Sequence, residues 1–212
     1  MPKRVDAEAE RARIAHAAVL VISDVGLDNT RLRDVAKAAG VTTGAVTHYF
    51  DNKESVLEAA LEEVVARTLK RMQAAEALGA AKDLEVFADR VCSFLPLTEQ
   101  GLSEWRVWLA YWGRAVHDER LRQVHAGYYQ RFIEGLIPGL RALPRKDKRP
   151  SRAAARRCAD SMVAALDGVG VRATLEPEQW PARRQKQTLK GTLLPLLHAF
   201  MAPHGATGGQ DN

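Results

Sequence analysis

Ala38 to Phe50 reads "AAGVTTGAVTHYF", and this stretch decides the fold. Gly40 ends a helix of about two turns whose inner face is Leu32, Val35, Ala36 and Ala39. Thr42 can cap a new short helix that runs to about Tyr49. On that helix Val46 and Phe50 stand four apart and face inward, with Val41 closing the turn. Thr42, Thr43, Thr47 and His48 then project outward. A segment meant only for burial would not carry so many hydroxyls, and a catalytic loop would pair a nucleophile with a base. Two short helices joined by a tight glycine turn form a helix-turn-helix, whose second helix packs on one side and meets a phosphate-rich partner on the other.

The flanking segments complete the unit. From Glu8 to Val25 the apolar positions Ile14, Ala17, Ala18, Val21, Ile22 and Val25 make one stripe of an amphipathic helix. Gly26 stops it, Asp28-Asn29 turn the chain, and Thr30 is placed to cap the second helix. Asp51 or Asn52 caps a long fourth helix, with Asp51 and Glu54 spaced as a capping box. Val56, Leu57, Ala60, Leu61, Val64, Val65, Leu69 and Met72 carry its stripe to about Ala77. Hydroxyls and an imidazole can reach phosphates and base edges. Gly44 lets a helix backbone come close to a partner. The helix starts at Thr30, Thr42 and Asn52 offer free N–H groups to anions, and Lys53 adds a full charge beside the last.

The 212 residues are 46% hydrophobic and 27% charged, enough for one or two domains with a substantial core. Alanine, leucine, glutamate and arginine dominate, and alternating β-branched runs are scarce, so the expectation is an all-α fold of about nine helices. The segments that read as loops are 26–30, 144–151 and the tail from His204. Cys92 and Cys158 show no paired spacing, which suggests a reducing cytosol. The N-terminus lacks the apolar core of a signal peptide, and no run approaches a membrane helix, so the expected location is cytoplasmic. The net charge of +5 divides into +1 over 1–53, −3 over 54–140 and +7 over 141–212. Its densest basic stretch is Arg141, Arg145, Lys146, Lys148, Arg149, Arg152, Arg156 and Arg157, a pattern that usually marks a solvated loop.

His16, His48, His117, His125, His198 and His204 form no short metal-ligand spacing. Glycine-rich phosphate loops and nucleophile elbows are absent, and both cysteines sit in apolar stripes. The expectation is no metal, no cofactor and no catalytic residue. A helical scaffold or adaptor without DNA-binding activity is the alternative function class, separable by a DNA titration against salt.

Beyond Gly79-Ala80 a second helical body begins, with Leu84, Phe87, Ala88, Val91, Phe94 and Leu95 as its first stripe. Trp105, Trp108 and Trp112 share one helix face, extended by Leu109 and Val116. Leu121, Val124, Tyr128, Phe132, Leu136 and Leu140 point inward from the next helix. Two final helices follow, roughly 152–175 and 182–202, the first rich in Ala153, Ala154, Ala159, Ala164 and Gly168.

Residues 30–61, "TRLRDVAKAAGVTTGAVTHYFDNKESVLEAAL", resemble the DNA-binding region of the tetracycline-repressor (TetR) family of bacterial regulators, a match covering about residues 8–62. Many members carry lysine where Thr43 stands and tyrosine where Thr47 stands, so the operator sequence stays open. "W-x-x-W-x-x-x-W", "HDERLRQVHAGYYQRF" and "ALDGVGVRATL" resemble the C-terminal region of the family's BetI-like sub-branch, that of a choline-responsive regulator. The resemblance implies that Thr43, Gly44, Thr47 and His48 face the major groove. It implies phosphate contacts from Thr30, Thr42, Tyr49 and Lys53, with Lys3 and Arg4 as an arm along the DNA. It divides the chain into a DNA-binding domain (1–52), an effector-binding and dimerisation domain (53–203) and a disordered tail (204–212). It further implies a homodimer through the last two helices and repression relieved by a small molecule. Symmetry argues independently for the dimer, because one short helix contacts few base pairs while two, about 34–36 Å apart, read a palindrome.

The tryptophan face has two readings. It is core or interface packing, or it is an aromatic wall for a small molecule. In the second, Trp105, Trp108, Trp112, Tyr128 and Phe132 hold a cationic amine by cation–π attraction, with Asp167 or Glu104 as counter-charge.

Overall fold

The computed structural model describes residues 4–77, 80–144 and 149–202. Among them the chain forms nine helices and no strand: α1 Arg4–Asn29, α2 Leu32–Ala39, α3 Thr43–Tyr49, α4 Lys53–Ala77, α5 Leu84–Cys92, α6 Glu99–Ala115, α7 Glu119–Ala142, α8 Arg152–Leu175 and α9 Ala182–Met201. Lys3, the side chain of Arg4, the loop cations Arg145, Lys146 and Lys148, and the tail from His204 lie outside the described residues.

Local chemistry sets the boundaries. Six of the described helices start on a side-chain oxygen that accepts a backbone N–H three residues on. These are Thr42 for α3, Asn52 for α4, Asp83 for α5, Thr98 for α6, Asp118 for α7 and Ser151 for α8. Gly40 closes α2 at φ 68°, a left-handed conformation that favours glycine. At the start of α4 the structure selects Asn52 of the two expected caps, without the Asp51–Glu54 box. Asn52 and Ser55 satisfy each other, with the Ser55 N–H donating to Asn52 Oδ1 at 2.8 Å and the Asn52 N–H donating to Ser55 Oγ at 3.2 Å. Glu54 takes no part in the cap and instead meets Arg114 Nη1 at 3.4 Å.

Gly26 interrupts α1 as expected: its φ of 75° and ψ of 162° are non-helical, and a second short helical run follows across the kink to Asn29. Two apolar positions are corrected. Val116 does not extend the α6 stripe, being 65% exposed just past the helix end, and Val25 is exposed at the end of the α1 stripe.

Packing gives separate cores. Val46 of α3 and Phe50 just past its end are fully buried with Ile14, Ala18 and Ile22 of α1 and Val35 and Ala36 of α2. Burial of each large side chain contributes roughly 1.5–3 kcal/mol, so this small unit depends on them. The N-terminal half of α4, through Val56, Leu57, Ala60 and Val64, completes the same core, as does Val107 of α6. The larger core joins α5, α7, α8 and α9 around Leu140, Met162, Leu189, Leu193 and Leu197. A third cluster, including Leu61, Tyr111 and Leu121, bridges α4, α6 and α7. Helix α6 is therefore enclosed on several sides, which is why Tyr111 is fully buried with its hydroxyl donating to Leu121 O at 2.6 Å. Of the basic stretch, Arg152 and Arg156 both pair with Glu134, the latter at 2.5 Å.

Candidate nucleic-acid interface and internal cavity

The exposed side of α3 carries Thr42, Thr43, Gly44, Thr47 and His48, with Tyr49 half-buried at the edge. Thr42 Oγ1 accepts the Ala45 N–H at 3.1 Å, which leaves its own proton free to donate. Thr47 Oγ1 donates to Gly44 O at 3.1 Å and keeps its lone pairs outward. His48 and Tyr49 meet edge to face with ring centres 5.1 Å apart. A Cβ on Gly44 would meet only Thr42 Oγ1, at 3.8 Å. That is ordinary van der Waals contact, so the missing side chain leaves the outer surface of α3 open to close approach.

Two of the expected phosphate contacts sit in different surroundings. Lys53 Nζ donates to Asp28 O at 2.7 Å, tying the start of α4 to the end of α1. The ammonium retains two protons for a second acceptor. Thr30 does not cap α2, since Arg31 holds that position without a side-chain bond. The Thr30 hydroxyl is buried and donates to Gly26 O at 2.8 Å, filling the gap the glycine kink opens. Thr30 therefore has no free hydroxyl for a phosphate.

The second feature is a cavity of about 70 Å³ between α4, α6, α7 and α8. Trp105, Trp108, Trp112, Tyr128, Phe132 and Asp167 all line it, and so does Glu104. The rings form a connected wall: Trp108 and Trp112 lie 6.3 Å apart, Trp108 and Tyr128 6.3 Å, Trp105 and Trp112 6.2 Å. Trp105 is anchored by its indole N–H to Phe94 O at 2.9 Å, and its ring lies across the α8 backbone where Gly170 leaves room. A Cβ at Gly170 would fall 2.1 Å from that ring.

The two carboxylates are held differently. Glu104, 2% exposed, accepts from Arg71 Nη1 at 2.8 Å and Gln100 Nε2 at 3.2 Å, with Arg67 Nη1 at 3.8 Å. Among the described residues Asp167 accepts only from the Tyr129 hydroxyl, at 2.9 Å. Burial pushes the Asp167 carboxyl up to about 6, and the Tyr129 hydrogen bond offsets part of the rise. The Tyr129 phenol is pushed up by burial and by the neighbouring carboxylate. His125 stacks on Tyr129 with centres 4.3 Å apart, and burial lowers its pKa. Tyr129 and Arg71 also line the cavity without having been singled out from the sequence, as does Phe94, which the sequence marks only as a core position. The one available signal was the neighbouring pair Tyr128-Tyr129, of which helical periodicity selects only one. No cluster of three or more His, Cys, Asp or Glu among the described residues could hold a metal ion. No helix there is long and apolar enough to cross a membrane.

Comparison with known proteins covers both features. Residues 14–60 match the family model for bacterial regulatory proteins of the tetR family. Residues 87–198 match that for the C-terminal region of BetI-type transcriptional repressors. The chain is 32% identical over 193 residues to the HTH-type transcriptional regulator BetI of Paraburkholderia xenovorans LB400, covering 89% of this chain and 93% of that one. The regulator of the same name from Burkholderia pseudomallei K96243 is 31% identical, over 84% and 88% of the two chains. A transcriptional regulator from Rhodococcus sp. RHA1 superposes with TM-score 0.76 at 26% identity, covering 91% of this chain and 99% of that one. A Saccharomonospora viridis regulator solved in complex with choline gives TM-score 0.70 at 22% identity, over 88% and 96%.

Proposed function

The chain belongs to the TetR family of bacterial transcriptional regulators and carries a BetI-type C-terminal region, and from that premise we propose that it is a homodimeric repressor released from a palindromic operator by a small monocation. That it is a DNA-binding regulator and not an enzyme follows from the family; the dimer, the operator symmetry and the effector are our reading. The observation that carries it is the outward face of α3, where Thr42, Thr43, Gly44, Thr47 and His48 stand exposed over a core closed by Val46 and Phe50. Thr43, Gly44, Thr47 and His48 read base edges, while Thr42, Tyr49 and Lys53 hold phosphates.

The dimer forms through α8 and α9. Part of their solvent face is built of small residues, with Ala164 and Gly168 on α8 and Thr188, Gly191, Thr192 and Pro195 on α9 all exposed, flanked by the exposed charges Arg157, Asp160 and Arg172 on α8 and Arg183, Arg184 and Lys186 on α9. A Cβ at Gly168 or Gly191 would meet nothing within 4 Å, so that face has room for another helix. Leu175 is 69% exposed at its end.

The effector occupies the aromatic cavity. Arg71 and Glu104 neutralise each other, which leaves Asp167 as the uncompensated charge, and so favours a monocation over a zwitterion or an anion. A space of about 70 Å³ is small, which favours a compact ligand such as choline over a bulky one. The rings contribute about 0.5–2 kcal/mol each to a quaternary ammonium. The same fold holds choline in the Saccharomonospora viridis regulator. Such a ligand releases DNA by binding more tightly to a state in which α4 has moved the recognition helix out of register.

Selection of binding sites from a random DNA pool, followed by titration with choline, tests the whole reading. The expected product is an inverted repeat with half-sites one helical turn apart, whose binding falls steeply with salt and is weakened by choline. An asymmetric or sequence-indifferent product would remove the operator claim.

A further inference from the structure

Arg67 stands where the cavity wall meets the helices that carry the reading head, without lining the cavity itself. Its guanidinium reaches three helices. Within α4 its Nε donates to Glu63 Oε1 at 2.8 Å. Toward the cavity its Nη1 lies 3.8 Å from Glu104 Oε1 on α6. Toward α1 its Nη2 contacts His16 Nδ1. The side chain is only 18% exposed.

We propose that Arg67 couples the cavity to the DNA-binding helices, losing its hold on Glu104 when a cation enters and passing that loss to α1 through His16. The proposal rests on the effector reading above. A positive charge in the cavity competes with the α4 arginines for Glu104 and repels both, in a wall where charges are poorly screened. Arg71 holds Glu104 at 2.8 Å and Arg67 at 3.8 Å, so Arg67 is the partner that yields. A guanidinium serving partners at fixed angles cannot shift toward one without changing its geometry to the others. Release from Glu104 thus alters the contact with His16, and α1 and α4 together frame the core on which α3 is mounted. An arginine with two arrangements, each favoured by a different ligand, is the element that coupling between distant sites requires.

The test uses full-length protein, choline as the probe and the operator duplex recovered by selection. Operator affinity is measured with and without saturating choline for wild type, Arg67→Met, Arg67→Lys, His16→Ala and the Arg67→Met/His16→Ala pair. Choline is expected to weaken wild-type operator binding by about 10-fold or more, within the usual range of such couplings. Arg67→Met should keep its choline affinity and its choline-free operator affinity within about threefold, while the choline effect shrinks below about threefold. Arg67→Lys should fall between, because an ammonium is a point charge that serves fewer partners at once. His16→Ala should also shrink the effect, and the pair should lose no more than Arg67→Met alone, as expected of residues acting through one contact. His16 is exposed, so its variant decides the matter even where Arg67→Met fails to fold. Full choline response in Arg67→Met or His16→Ala overturns the assignment and leaves the effector reading standing. A wild type whose operator binding ignores choline overturns both.

Discussion

Asp167 shows how a single residue can be unfavourable to the fold and useful to the site. Its carboxyl titrates at about 6 in the folded chain against 3.8 in the open. Between those values the folded state binds more protons than the unfolded one, so stability falls as pH rises through that window. The full penalty at neutral pH is at most about 3 kcal/mol, since each tenfold change in proton affinity corresponds to about 1.4 kcal/mol. Asp167→Asn keeps an oxygen for the Tyr129 hydroxyl and removes the buried charge. The variant should therefore melt at a higher temperature than wild type at pH 7.5 and show no such advantage at pH 4. Calorimetric choline affinity should fall by about 10-fold or more in the same variant. In wild type that affinity should rise as pH increases through about 6, where Asp167 ionises. Glu104 and Arg71, which also line the cavity, remain paired with each other and keep the Asp167 charge dominant. An unchanged choline affinity in Asp167→Asn would remove the counter-ion role.

The residues of α3 separate in the same manner. Thr47→Ala removes an outward hydroxyl whose hydrogen bond within the helix is to Gly44 O. It should cost about 1–3 kcal/mol on the selected operator and little on random DNA. Lys53→Ala should weaken binding to all sequences and lower the salt slope by about one. A Lys53 variant that altered only base preference would reverse the two roles.

At the scale of elements, glycines and caps explain both what periodicity reveals and what it hides. Helices α8 and α9 are read closely from the sequence, because Ser151 and Pro181 mark their starts and apolar residues line one face. The α2–α3 turn is equally legible through Gly40 and Thr42. The choice of cap at α4 is not, since Asp51-Glu54 and Asn52-Ser55 satisfy the same spacing rule and only three-dimensional geometry separates them. Thr30 is misread because a threonine before a helix has two uses, and the kink at Gly26 commits it to the second. Tyr129 is hidden for another reason: its partner Asp167 lies 38 residues away on another helix, beyond any local pattern. Gly170 is a further case, an apparently ordinary helical glycine whose missing Cβ admits the Trp105 ring. Gly170→Ala should favour α8 locally by up to about 1 kcal/mol. It should nonetheless displace Trp105, lower the melting temperature by several degrees and weaken choline binding. Retained tryptophan fluorescence and affinity would show that the ring has another place to go.

For the whole molecule the deciding question is how two reading heads are joined. The chain holds its cavity between its own α4, α6, α7 and α8, whereas reading of the proposed palindrome needs two copies of α3 at a fixed distance. The two activities can therefore be separated by a substitution that affects only the joint. Gly168 is suited to this, because it is exposed on α8 and a Cβ there meets nothing within the protomer. Gly168→Arg replaces a poor helix former with a good one, so helix content should be retained or rise. The added side chain would nonetheless be driven into the proposed helix–helix contact, where its bulk and its desolvated charge together cost several kcal/mol. Sedimentation should then show a monomer, choline affinity should stay within about threefold, and operator affinity should fall by about 100-fold or more as the second half-site is lost. A variant that stays dimeric and binds the operator as before would place the joint elsewhere on the surface. A monomer that lost choline as well would mean that the cavity needs the second copy to keep its shape.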